Sequence, residues 1–195
     1  ILEADHYPIY KIKLGTEHDR EIISAVREVT NKPIRVDVNE GWKSLEVAKQ
    51  EIEYLKDQNV ELIEQPMPAA MFEEMKELKK WSPLPIAADE SFVGNEDLSI
   101  LSQSFDIINI KLMKMGSLLK ARKVINKAKE YGLKIMVGCM IESSLANAAG
   151  ALIALEADYA DLDGHLLITN DPFWGLTINR KGNIVVSEYP GLGIR

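Results

Sequence analysis

Charged side chains recur at a regular spacing along this chain, most of them at the end of a short apolar run. Successive intervals are 24, 27, 25, 22, 29 and 23 residues between Lys13, Asp37, Glu64, Asp89, Lys111, the 138–142 segment (measured to Met140) and Asp163. Three consecutive members, Asp37, Glu64 and Asp89, are carboxylates that would repel one another in a shared cavity unless a cation lay between them. Hard carboxylate oxygens on rigid strands suit Mg²⁺. The alternative is three solvated strand ends or separate salt bridges, but the consecutive register favours the metal.

Lysines flank the three carboxylates along the chain. Lys11 and Lys13 are two residues apart, so their side chains leave the same face of one strand. Lys111 ends a strand four units further along, and in a ring of eight strands that position lies opposite Lys13. Burial and cationic neighbours lower the pKa of a lysine toward that of a useful base. A lone lysine at a strand end is usually a surface cation or a carboxylate's partner, but the opposed placement favours proton transfer at a carbon held between the two.

The elements that must position these groups alternate between apolar strands and amphipathic helices. Strands are predicted at residues 9–14, 34–38, 60–63, 85–88, 107–110, 134–137 and 159–162. Thr16 is expected to cap the first helix, with an apolar face of Ile22, Val26 and Val29. The alternation indicates βαβ units and a parallel sheet. A parallel barrel brings the carboxyl ends of its strands to one face, whereas an open doubly wound sheet would spread them along an edge. The sequence also has no Gly-rich dinucleotide-binding motif after its first strand.

The composition excludes several classes of function. The 195 residues include 23 basic and 30 acidic side chains, and the net charge of −7 argues against non-specific nucleic-acid binding. The single cysteine, Cys139, excludes a disulfide framework and a cysteine-based zinc site. No apolar run approaches the roughly 18 residues of a membrane span. We therefore expect no nucleic-acid or membrane partner, and a cytoplasmic location because no targeting segment is visible.

The strand-end motifs resemble those of the enolase superfamily, in its muconate lactonising enzyme subgroup. The matching segments are KIK at 11–13, DVN at 37–39 with GW at 41–42, EQP at 64–66, DES at 89–91, NIK at 109–111 and PGLGI at 190–194. The resemblance implies an α/β fold, a TIM-like (β/α)₇β barrel, here without its first strand and without the N-terminal α+β capping domain. It further implies that residues 1–170 are the catalytic barrel portion and that residues 171–195 return toward the capping domain.

The resemblance also implies a role for each strand-end group. Asp37, Glu64 and Asp89 would bind Mg²⁺, and Lys13 and Lys111 would be the acid/base pair on opposite faces of the substrate. Enolase-superfamily sites use a Lys or His base with Mg²⁺ stabilising an enediolate. One lysine would remove the α-proton of a substrate carboxylate bound to the metal, which acts as a Lewis acid, and in an epimerase the other lysine would return a proton.

Three further residues are implied to support these groups. Lys11 would be a neighbouring cation that makes Lys13 a better base, and Asn39 and Glu90 would lie just outside the metal ligands. The family members are commonly oligomeric, so we expect a homo-oligomer.

The last strand indicates which reaction is catalysed. Asp161-Leu162-Asp163 places two carboxylates on one strand face and resembles the Asp-x-Asp motif with which dipeptide epimerases of this subgroup hold the substrate's ammonium group. Met140 and Ile141 are expected to line the pocket for the substrate side chain. The resemblance thus implies an isomerase that epimerises dipeptides of the L-Ala-D/L-Glu type.

Other interpretations of the last strand stay open. Asp161 could cap a turn and Asp163 could pair with a nearby base. The activity would then be another of the subgroup: o-succinylbenzoate synthase, N-acylamino acid racemase or cycloisomerase. A non-catalytic barrel fragment is the alternative from a different class.

Overall fold

Short runs of aliphatic residues form the parallel strands of this chain, and the segments between them form helices. The computed structural model describes residues 1–195, apart from the side chain of Leu2. The chain divides into two units, residues 1–92 with 96–107 and residues 93–95 with 108–195. No helix among the described residues combines the length and the apolar character needed to cross a bilayer.

The first unit contains four parallel strands that neighbour one another in chain order. They are β1 (Tyr10–Lys13), β2 (Ile34–Asp37), β3 (Val60–Glu64) and β4 (Ile86–Ala88). The helices between and after them are α1 (Asp19–Val29), α2 (Leu45–Leu55), α3 (Phe72–Trp81) and α4 (Leu98–Leu101). In the register of the strands, Lys13 pairs with Asp37 and Asp37 with Glu64. The strand ends predicted to carry chemistry are therefore direct neighbours.

The prediction for α1 was wrong in two details. Thr16 does not cap the helix, which begins at Asp19; the Thr16 hydroxyl instead accepts a hydrogen bond from the N–H of His18. Ile22 was predicted to face inward, but its neighbour Ile23 is the buried residue, and Val29 is 47% exposed. Ile22 and Ile23 are adjacent and both apolar, so spacing alone could not decide which of them faces the sheet.

The second unit contains the later strands, again in chain order. They are β5 (Ile107–Lys111), whose first residue belongs to the other unit, β6 (Lys134–Gly138) and β7 (Tyr159–Asp161). Its helices are α5 (Leu112–Met115), α6 (Leu118–Glu130) and α7 (Ser144–Ala154). The short helix α5 was not predicted. Beyond β7 the chain forms a small antiparallel pair, β8 (Thr177–Ile178) with β9 (Ile184–Val185), and the division at residue 170 stays a prediction.

The loops that follow β1 and β2 touch through two glycines. Gly15 has a φ of +100°, and a Cβ there would lie 2.4 Å from the carbonyl oxygen of Val38. A Cβ on Gly41 would lie 2.3 Å from the Cα of Gly15. The buried Asp19 carboxylate accepts the Gly15 N–H at 2.9 Å and the Trp42 indole N–H at 2.8 Å. These contacts join the loops that carry the first two strand ends.

We predict that Gly15→Ala destabilises the chain by more than about 2 kcal/mol, because it adds a clash with main-chain atoms to the strain of a left-handed backbone. Gly132→Ala is the matched control: φ is +73° there, but a Cβ would meet nothing within 4 Å. It should cost only the backbone strain of about 1 kcal/mol. Urea unfolding measures both losses, and equal losses would contradict the close contact.

Candidate active site

The three predicted carboxylates lie at adjacent strand ends of the first unit. Asp37 ends β2, Glu64 ends β3 and Asp89 directly follows β4. All three side chains are buried. The structure therefore brings Asp37 and Glu64 side by side, and the charge of Asp89 acts on Glu64 from the next strand end.

Two lysines of β1 contact this cluster. The ammonium of Lys11 lies 2.9 Å from Asp37 Oδ2 and 2.8 Å from Glu64 Oε2, so it bridges both carboxylates. The ammonium of Lys13 lies 2.7 Å from the same Asp37 oxygen. The Lys11 side chain is 20% exposed and that of Lys13 is 65% exposed. Lys11 is thus held within the carboxylate cluster, whereas Lys13 reaches toward solvent.

Burial raises the pKa of Glu64 to about 7, because removal from water disfavours its charged form. The ammonium of Lys11 acts against this shift, and the carboxylates of Asp37 and Asp89 add to it. The pKa of Glu64 therefore stays raised although the Lys11 ammonium touches its carboxylate.

Asn39 and Glu90 connect the loops beyond β2 and β4. The Asn39 amide donates to Glu90 Oε1 at 3.0 Å, and its oxygen accepts from the Lys13 ammonium at 2.7 Å. The Asn39 main-chain N–H donates to Asp37 Oδ1 at 3.2 Å. Both residues thus lie beside the carboxylate cluster, where the resemblance placed them.

The sequence analysis missed Gln65 as a site residue, although the EQP segment contained it. Its side chain is buried, and its amide oxygen accepts the main-chain N–H groups of Asp89 and Ser91, each at 3.0 Å. The signal that could have identified it is its place directly after Glu64.

The donor set suits a hard divalent cation. No group of three or more His, Cys, Asp or Glu side chains has the geometry of a formed metal centre among the residues that the structure describes, and oxygens of Asp37 and Glu64 converge on the Lys11 ammonium. Three buried carboxylates on rigid strand ends are nevertheless the oxygen ligands that Mg²⁺ prefers. The raised pKa of Glu64 is the observation that tests the fit, because added positive charge would favour its ionised form.

The second unit holds the remaining predicted residues. Lys111 ends β5 and is buried, and its charge acts on Glu142, which lies beyond β6. Burial raises the pKa of Glu142, against the effects of a Met140 main-chain hydrogen bond and of Lys111. Glu142 Oε2 is buried and accepts no hydrogen bond within the part of the chain described. The sequence analysis did not single out Glu142 as a site residue.

Asp161 and Asp163 lie at the end of β7 and just beyond it. Asn147 of α7 is buried beside them; with its amide oriented to satisfy both groups, it donates to the Leu162 carbonyl and accepts from the His165 N–H, each at 3.2 Å. Asn147 therefore holds the main chain on both sides of Asp163.

The segment after β6 has an exposed part and a buried part. Met140 is 41% exposed and Ile141 is 69% exposed, so both are available for contact. Burial raises the pKa of the Cys139 thiol to about 11, and its sulfur accepts the Gly164 N–H at 3.3 Å. Cys139 is therefore a neutral packing group.

The predicted site residues thus form two sets, one in each unit.

The pKa of Glu64 predicts a pH dependence of stability. The folded carboxyl titrates above the ordinary glutamate value of 4.5, so the folded state holds an extra proton between the two values. Stability should then fall as pH rises from about 4.5 to about 7, by on the order of 3 kcal/mol. In Glu64→Gln this contribution should disappear.

Urea unfolding in EDTA at about pH 5 and about pH 8 measures the change. Glu61→Gln is the matched control, since Glu61 lies on the same strand but pairs with Arg35 at 2.9 Å. A Glu64→Gln protein with the pH dependence of the parent would contradict the prediction.

Comparison with known proteins agrees with the strand-end motifs. Residues 1–195 match the family described as enolase C-terminal domain-like. The chain is 42% identical over 191 residues to an L-Ala-D/L-Glu epimerase of Bacteroides thetaiotaomicron, covering 98% of this chain and 50% of the relative. It is 39% identical over 175 residues to an N-acetyl-D-glutamate racemase of a Pseudoalteromonas species, covering 88% of this chain and 54% of that protein.

A solved structure has the same fold. The dipeptide epimerase of Cytophaga hutchinsonii, in complex with Mg and the dipeptide D-Ala-L-Val, superimposes with a TM-score of 0.91 at 30% identity, covering 99% of this chain and 55% of the other. The chain thus spans about half the length of the curated relatives it matches. The predicted α/β fold class, that of a TIM-like barrel, is confirmed, and the chain belongs to the enolase C-terminal domain-like family.

Proposed function

We propose that the protein containing this chain is an isomerase that epimerises dipeptides of the L-Ala-D/L-Glu type and depends on Mg²⁺. The observation that carries the proposal is the cluster of three buried carboxylates with two ammonium groups at adjacent strand ends. The relatives named as epimerases and the Mg-bound solved structure support it. A cytoplasmic location and a homo-oligomeric state stay predictions.

In this proposal Asp37, Glu64 and Asp89 hold the metal. Bound Mg²⁺ would supply Lewis-acid polarisation of the substrate's carboxylate, which makes the α-proton more acidic. Lys11 keeps a positive charge against Asp37 and Glu64, at 2.9 and 2.8 Å. That charge limits the repulsion within the cluster.

Lys13 and Lys111 are the proposed acid/base groups. Asp37 and Asn39 each accept from the Lys13 ammonium at 2.7 Å and so orient it, while its side chain remains 65% exposed. Lys111 is buried, and Glu142 is the negative neighbour on which its charge acts. One lysine takes the α-proton at its Nζ, and the other delivers a proton from its own Nζ.

Asp161 and Asp163 are the proposed contacts for the ammonium group of the dipeptide, because two carboxylates suit a cation. Met140 and Ile141 are the proposed contacts for its side chain. The Pseudoalteromonas relative favours a second candidate, racemisation of an N-acylated amino acid, whose substrate has no free ammonium.

The lysine roles predict distinct losses in α-proton exchange. In the full encoded protein, Lys13→Ala and Lys111→Ala should each lower epimerisation by at least about a hundredfold, since each removes one general acid/base. Each variant should retain exchange of the α-proton with D₂O for one epimer of Ala-Glu, and the retained epimer should differ between them. Proton NMR of both epimers with Mg²⁺ measures this.

Lys127→Ala is the control for these variants, because Lys127 pairs with Glu130 on the outside of α6 and takes no part in the proposed site. If both lysine variants kept exchange of both epimers, the two-lysine mechanism would be rejected.

The substrate class predicts a selective effect at Asp163. Asp163→Asn removes one charge from the proposed ammonium contact and should lower kcat/KM for L-Ala-L-Glu about 10- to 100-fold, the value of a charge-assisted hydrogen bond. Activity on N-acetylglutamate, if present, should not fall. Full activity of Asp163→Asn on a dipeptide would contradict the proposed dipeptide substrate.

A further inference from the structure

The Gln65 side chain forms hydrogen bonds at every donor and acceptor position of its amide. Its amide oxygen accepts from the N–H groups of Asp89 and Ser91, each at 3.0 Å. Its amide nitrogen donates to the Met67 carbonyl at 2.9 Å and to Ser91 Oγ at 2.8 Å. An amide has two acceptor and two donor positions, and this one uses all four.

The main chain of Gln65 adds a second contact to β4 and joins a further strand end, that of β2. Its N–H donates to the Ala87 carbonyl of β4 at 2.9 Å, and its carbonyl accepts the N–H of Glu40, beyond β2, at 2.8 Å. Its φ is +39°, a left-handed conformation that residues other than glycine seldom adopt. Such strain persists only where the surrounding structure imposes it, and it concentrates at functional sites.

We propose that Gln65 is a positioning residue, which fixes the carboxylate of Asp89 relative to those of Glu64 and Asp37. The inference rests on the proposed function, in which these three carboxylates hold Mg²⁺. Asp89 lies just beyond the last residue of β4, outside the hydrogen-bonded strand itself. The hydrogen bond from its N–H to Gln65 ties it to the residue next to Glu64.

The neutral amide is the group that the position requires. A carboxylate at residue 65 would place an acceptor against the Met67 carbonyl and would add a negative charge beside three others. A methionine would have similar length and would fill the space without forming any of the four hydrogen bonds. Gln65→Met therefore removes the positioning contacts and preserves most of the packing.

The test measures Mn²⁺ binding by electron paramagnetic resonance, with Mg²⁺ competition, on the full encoded protein and three variants. Gln65→Met should bind Mn²⁺ about tenfold or more weakly, as is typical when a group that orients metal ligands is lost. It should also speed hydrogen exchange at the Asp89 and Ser91 amides, measured by NMR. Ser91→Ala should bind Mn²⁺ like the parent, because Gln65 Oε1 still accepts from both main-chain N–H groups.

Ile52→Ala is the control for lost stability, since Ile52 is buried on α2 and belongs to no strand end. It should lower the thermal midpoint without weakening Mn²⁺ binding. Unchanged Mn²⁺ affinity in Gln65→Met, or an equal loss in Ile52→Ala, would overturn the inference and leave the proposed metal site intact. A parent that binds no Mn²⁺ would refute the proposed metal site, and the positioning role would be rejected with it.

Discussion

The ammonium of Lys11, which bridges Asp37 and Glu64, is the interaction on which the first unit depends. Parallel strands in register place their carboxyl ends side by side, so acidic residues at the ends of β2 and β3 are forced together and buried. Buried like charges are costly unless a cation compensates them. Even with this ammonium in contact, burial raises the pKa of Glu64 to about 7, and the charges of Asp37 and Asp89 add to the shift. A further cation at the cluster, as in the proposed metal site, would favour the ionised form of Glu64.

The strand-end loops hold this cluster through strained and closely packed backbone. Asn39, Glu40 and Gln65 all have positive φ, and each follows a strand end that carries a carboxylate. Gly15 packs against the loop after β2 with no room for a side chain. Hydrogen bonds from Asn39 to Glu90 and from Asp89 to Gln65 cross between neighbouring loops. Backbone strain is therefore concentrated beside the buried carboxylates, and the packing of the buried aliphatic strands supplies the stability that offsets it.

The proposed metal ligands and the side chains proposed to contact the substrate's side chain differ in exposure. The proposed metal ligands of the first unit are buried carboxylates, and two of them, Asp37 and Glu64, contact the Lys11 ammonium. In the second unit the side chains proposed to contact substrate are more accessible, since Met140 is 41% and Ile141 is 69% exposed. Replacing an exposed loop residue has little effect on stability, whereas replacing a buried charged residue changes stability strongly.

The order of the seven parallel strands, the residue type at each strand end and the family could be predicted from the sequence, because apolar runs and their spacing are local patterns; the short helix α5 could not. It predicted that Asp37 and Glu64 would meet, since parallel strands align their ends. Only the tertiary structure decided that Lys11 bridges them, that Ile23 rather than Ile22 packs inward, and that Gln65 holds Asp89. Each of these depends on the rotation of a helix or on a side chain meeting a group in another strand or loop. A local sequence pattern cannot predict such a contact, because the partner lies one or more βα units away along the chain.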